Sequence, residues 1–147
     1  MTANGKITEI KKQSSVLIVD DSFLMRRVIK NILDTDASFL VVGEAVDGID
    51  GLEKVKELSP DIILLDIEMP RLDGIGFLKQ AKMLTDATII VISSVTRLGS
   101  PQAMEALELG VADIVCKPSG VLSMDLEEKR SAELLEAIHH CVENNQI

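Results

Sequence analysis

A doubly wound α/β fold, a five-stranded parallel sheet with helices on both faces, is the fold class this sequence predicts, and three observations carry it. Five short apolar runs recur at residues 16–19, 39–42, 62–65, 89–92 and 111–116, each too brief for a helix. The segments between them carry apolar residues at helical spacing. Strand and helix alternate from about residue 15 to 143, as they must where parallel strands are joined by crossovers. The length fits one domain with a sizeable core.

Residues 1–14 are polar and slightly basic, with Lys6, Lys11 and Lys12, and read as a mobile tail before a domain over 15–143. The first strand ends in Asp20-Asp21. Ser22 is placed as N-cap of a helix whose Met25, Val28, Ile29 and Ile32 follow the i, i+3, i+4, i+7 pattern. After the second strand, Asp47-Gly48 opens a helix with Ile49, Leu52 and Val55 on one face, and Ser59-Pro60 closes it. The third strand is an unbroken aliphatic run, Ile62-Ile63-Leu64-Leu65, the mark of a strand covered on both faces, and it ends in Asp66. Pro70 takes the chain out of the sheet, and Asp73 caps a helix to Leu84 with Ile75, Leu78 and Ala81 inward.

The fourth strand ends in Ser93-Ser94. Ser100-Pro101 is an N-cap followed by proline at the first helical position; Ala103, Met104 and Leu107 are predicted as the inner face, with Gly110 at C′. The fifth strand is less apolar, predicting an edge, and Lys117-Pro118 ends it. Asp125 and Glu128 predict a capping box for a last helix with Leu134, Ile138, Cys141 and Val142 as its packed stripe. Residues 144–147 read as a C-terminal tail.

A net charge of −9 argues against a direct nucleic-acid surface. No apolar run approaches the roughly 18 residues of a membrane span, and the N-terminus lacks the apolar centre of a signal peptide. No membrane partner and a cytoplasmic location are therefore expected. Cys116 and Cys141 have no metal or redox spacing and sit in apolar patterns, as buried reduced thiols do. His139 and His140 are adjacent, diverge on a helix, and receive no role.

Right-handed crossovers bring every strand's carboxyl end to one rim, where open α/β sheets hold ligands. Asp20, Asp21, Asp66, Ser93 and Lys117 all fall there, from four of the five strands. Each has an ordinary role in isolation: the Asp pair could cap a helix, Ser93 end a strand, Lys117 sit in solvent. Together they point elsewhere. Three carboxylates repel unless a cation compensates, and Mg²⁺ takes one or two carboxylates with waters and phosphate oxygens. Lys117 adds a point charge for a phosphate and Ser93 a hydroxyl. That set suits phosphoryl transfer, with Asp66 as the nucleophile of an aspartyl phosphate.

The motifs LIVDDS, AVDG, LLDIEMPRLDG, VISS and IVCKPSG, in this order, resemble those of response-regulator receiver domains of two-component systems, over about residues 15–143. The resemblance implies a flavodoxin-like strand order, 2-1-3-4-5, with Asp66 as phosphoacceptor from a histidine kinase. It implies Mg²⁺ on Asp21, Asp66 and the main-chain carbonyl of Glu68, Asp20 assisting through water. Ser93 would be the switch hydroxyl, Lys117 the lysine on the phosphoryl group, and the Lys117–Pro118 bond cis. An output domain or protein would dock on the face of the fourth helix, fifth strand and fifth helix. One departure is Ile114, at a switch position often aromatic in the family, so coupling through Ser93 and the following helix is expected. Glu68 and Ser94 are candidates for tuning dephosphorylation.

Ser93-Ser94 with VTRLGSP, the ALELG helix end and KPSG are similar to the N-terminal receivers of chemotaxis protein-glutamate methylesterases. No esterase machinery is visible, so the chain reads as no enzyme beyond its own phosphorylation and dephosphorylation. It reads either as a free-standing receiver or as a domain whose esterase partner lies beyond residue 147. Three rivals compete. A phosphatase of the haloacid-dehalogenase type wants Asp-x-Asp early and an acidic pair late, the reverse of what stands here. An FMN carrier wants a Ser/Thr/Gly-rich loop where Asp20-Asp21 stand. A pseudo-receiver scaffold has no need of the complete acid set.

Overall fold

The computed structural model describes residues 13–69, 73–94, 98–118 and 124–144. Its elements follow in strict alternation: β1 (Ser14–Val19), α1 (Phe23–Asp34), β2 (Phe39–Ala45), α2 (Gly48–Leu58), β3 (Ile62–Asp66), α3 (Gly74–Leu84), β4 (Thr88–Ser93), α4 (Pro101–Glu108), β5 (Asp113–Cys116) and α5 (Met124–Asn144). All strands pair in parallel, in the order β2-β1-β3-β4-β5. The implied 2-1-3-4-5 order is thus the observed one.

Strand alternation divides the core into two layers. Leu17, Val19, Ile63, Leu65, Ile89 and Val91 face α2, α3 and α4, meeting Val55, Phe77, Leu78, Ala103 and Ala106. Val16, Ile18, Ile62, Leu64, Ile90 and Ile92 face α1 and α5, meeting Ile29, Leu33, Leu134 and Ile138. Burial on both faces explains why the central strands are aliphatic throughout. The caps fall as the sequence predicts: the side chains of Ser22, Asp47, Asp73 and Ser100 accept from main-chain amides of α1, α2, α3 and α4. Gly110 ends α4 with φ +95, a backbone open to glycine at little cost.

The structure corrects several expectations. In α4 the buried pair is Ala103 and Ala106, whereas Met104 and Leu107 are 52% and 45% exposed. Two apolar stripes compete on this helix, and the small one, Ala103 with Ala106, is the one turned to the core layer. In α2, Ile49 is exposed and Gly51 turns inward, where a Cβ would come within 2.8 Å of the Phe77 ring. β2 runs on to Ala45 and β5 is shorter than predicted. α5 begins at Met124, so Asp125 lies inside the helix and not at the half-turned position a capping box requires. Cys141 is buried, but Cys116 is half-buried because β5 is an edge; both thiols are free. The Lys117–Pro118 bond is trans, the isomer X–Pro bonds favour by about 0.5–1 kcal/mol. Pro70, residues 1–12 and residues 145–147 lie outside the described residues. Among the described residues, no helix is long and apolar enough to cross a membrane.

Candidate functional site: an acid cluster at the carboxyl rim

Each acid of the cluster stands where a strand runs out. Asp66 is the last residue of β3, its Cα paired with Ile92 of β4, and it is 2% exposed. Its Oδ1 accepts from the amide of Glu68 at 3.1 Å and faces Lys117 Nζ at 3.5 Å. Lys117 follows β5 directly, and its amide donates to the Ser93 carbonyl at 2.8 Å. Asp20 follows β1 and is held at several points. Its amide donates to the Ala45 carbonyl at 3.0 Å, and its Oδ1 accepts from the amide of Ser22 at 2.8 Å. Its Oδ2 is buried without a hydrogen-bond partner, the one such side-chain atom among the described residues. Asp21 beside it is exposed. Carboxylate oxygens of Asp20, Asp21 and Asp66 lie within 4.8 Å of one another.

Burial and the neighbouring Asp20 charge push the Asp66 carboxyl up to about 7, against the pull of the Glu68 amide and Lys117. Burial raises Asp20 as well, opposed by the Ser22 amide and Lys117. Without a cation, protons take the place of charge. The residues fit a hard divalent ion: three converging carboxylates, all-oxygen donors, and a buried oxygen lacking a partner.

Of the residues singled out in the sequence, Asp20, Asp21, Asp66 and Lys117 come together directly. Ser93 lies one residue beyond Asp66's register partner; it is fully buried, and its hydroxyl donates to the Ser94 carbonyl at 3.3 Å. Glu68 is half-buried beside Asp66. Ile114 is half-buried in β5, paired with Val91, and packs on the core layer below α4.

Sequence reasoning missed Arg26, which touches the main chain of Asp20, and Glu44, which holds Arg26. Arg26 Nη1 donates to the Asp20 carbonyl at 2.6 Å, and its Nε donates to Glu44 Oε1 at 3.1 Å. A usable signal was present. Arg26 lies three residues before Ile29, on the inward stripe of α1.

Residues 16–126 match the family model described as "Response regulator receiver domain". A protein-glutamate methylesterase/protein-glutamine glutaminase from Symbiobacterium thermophilum is 46% identical over 121 residues, 82% of this chain and 33% of that protein. The chain spans about a third of the length of the curated relatives it matches. The crystal structure of the response regulator domain of Thermotoga maritima CheB superposes with a TM-score of 0.78 at 42% identity, covering 88% of this chain and 96% of that one. A chain in the crystal structure of the P1 domain of CheA3 in complex with CheY6 from R. sphaeroides gives 0.75 at 40% identity, covering 90% and 98%.

Proposed function

The chain belongs to the response regulator receiver domain family, and from that premise we propose that Asp66 accepts a phosphoryl group from a histidine kinase. The observation that carries this reading is the Lys117 ammonium 3.5 Å from Asp66 Oδ1, on the rim where three carboxylates converge. An oxygen of Asp66 attacks phosphorus in line, the bond to the donor's nitrogen breaks, and the leaving imidazole departs. Lys117 pairs with the oxygens of the transferred group. Asp21, Asp66 and the Glu68 main-chain carbonyl would hold Mg²⁺, with Asp20 assisting through water. When bound, that ion offsets the negative charge of the acids and of the incoming phosphoryl group.

Ser93 is the switch hydroxyl in this reading: it leaves the Ser94 carbonyl for the phosphoryl group and draws the start of the following loop with it. A pre-existing equilibrium then shifts at α4, β5 and α5, the face on which an output domain or protein docks. The receiver occupies about residues 15–143 and works in chemotaxis of the methylesterase type, supported by the identity to methylesterases and to the CheB response regulator domain. Any methylesterase activity belongs to sequence beyond the receiver, and the kinase chemistry implies a cytoplasmic setting.

Labelling with radioactive acetyl phosphate and Mg²⁺ tests the reading. Wild type should acquire a hydroxylamine-sensitive label, and Asp66→Asn should acquire none. Label on Asp66→Asn equal to wild type would overturn it. Rapid turnover without accumulation would instead favour the phosphatase, and no labelling the scaffold.

A further inference from the structure

We propose that Arg26 is a positioning residue for the acid pair, setting the strength with which Asp20 and Asp21 hold a divalent cation. The inference rests on the receiver reading but concerns a residue that reading leaves unused.

Arg26 is an oddity by burial alone. Its side chain is 9% exposed, on the inner stripe of α1 among Met25, Ile29 and Ile32. A guanidinium is retained in such a place only where its donors are met. Two partners, from different strands, take its Nε and one Nη1 hydrogen: the Glu44 carboxylate on β2 and the Asp20 carbonyl at the end of β1. The Phe23 ring lies 5.8 Å from the guanidinium carbon and covers it further. Glu44 is itself fixed, since its carbonyl accepts from Lys54 Nζ at 2.7 Å, and Lys54 also pairs with Asp50.

The consequence falls on Asp20. With its amide on Ala45, its Oδ1 on the Ser22 amide and its carbonyl on Arg26, the residue is clamped at three points. The atom left over is Oδ2, buried and without a hydrogen-bond partner, on a carboxylate that converges with those of Asp66 and Asp21. The carbonyl clamp also fixes the peptide leading into Asp21. Arg26 therefore acts through geometry, by way of the Asp20 main chain and not its carboxylate.

Charge and geometry predict opposite signs, which makes the inference testable. By Coulomb repulsion alone, removing the positive group beside Asp20 tightens cation binding. Loss of positioning weakens it. Mg²⁺ affinity of the 147-residue chain, measured by calorimetric titration, separates the two. Arg26→Gln should bind about tenfold more weakly, the scale of outer-shell effects at metal sites. Arg26→Lys keeps the charge but reaches only one partner with a point donor, and should bind severalfold more weakly. Ile32→Val, a core change on the same helix, should destabilise the fold and leave Mg²⁺ affinity unchanged. Tighter binding by Arg26→Gln, or wild-type binding by Arg26→Lys, overturns the inference; if Arg26→Gln does not fold, Arg26→Lys decides. Wild type that binds Mg²⁺ and labels on Asp66 while Arg26→Lys matches it removes this inference alone. Wild type that binds no Mg²⁺ removes the receiver reading, and this one with it.

Discussion

In β1, β3 and β4 the apolar side chains are 0–2% exposed, whereas every residue of β5 is only half-buried. The helices over these regions differ in the same sense. α3 sets Ile75, Phe77 and Leu78 into the core, while the eight-residue α4 sets in two alanines and leaves Met104 and Leu107 outside. The acids are mounted on the first region and the proposed docking face on the second. Less apolar area under α4 and β5 means less free energy holding them, which suits the proposal that they exchange conformations while Asp20, Asp21 and Asp66 keep their places.

The sharpest way to break that comparison is by truncation. Ile63→Ala should cost about 4 kcal/mol in urea denaturation, and Leu107→Ala no more than about 0.5 kcal/mol. Similar losses would mean that the two regions are equally held.

Proton linkage gives the next largest effect. The native Asp66 carboxyl, at about 7, lies above the ordinary value of 3.8, so the folded chain keeps a proton that the unfolded chain releases. Metal-free protein should therefore lose stability as pH rises from about 4 to 7 and stay at the lower level above that, by on the order of 4 kcal/mol. Asp66→Asn in chelator should remove most of this slope and be the more stable protein at pH 8. An unchanged slope would remove burial of Asp66 as its cause.

Mg²⁺ at 100 times its dissociation constant should restore about 2.7 kcal/mol. Hydrogen exchange should slow at the ends of β1 and β3 more than in α4; uniform slowing would blur the distinction between the two regions. The smallest effect lies far from both. The hydrogen bond from His139 holds the Asp36 carboxyl below the ordinary range. A lowered acid stabilises the fold above its unfolded value and loses that contribution as pH falls through its folded one. Asp36→Asn should cost roughly 0.5–1 kcal/mol at neutral pH, and the difference should close in acid.

The acid cluster was legible because strand ends follow from apolar runs, and right-handed crossovers then leave a single rim on which Asp20, Asp21, Asp66 and Lys117 can meet. The inner face of α4 was not. Ala103, Met104, Ala106 and Leu107 are all apolar, so periodicity offered two stripes and only the sheet beneath chooses between them. β2 was cut short because Gly43 and Glu44 resemble a strand's end, yet both continue the ladder beside β1. Arg26 was passed over because a charged residue in an amphipathic helix is assigned outward by default. Its partner lies 18 residues away, and only the folded chain brings the two together.

α5 touches the sheet near both rims. Arg130 meets the Cys116 thiol next to Lys117, and nine residues later His139 grips Asp36 at 2.7 Å and lies against Phe39, the first residue of β2. At 1.5 Å per residue those two fastenings are about 13 Å apart along the axis. The helix is thus a strut pinned at top and bottom, and it cannot swing at one end without sliding or releasing at the other.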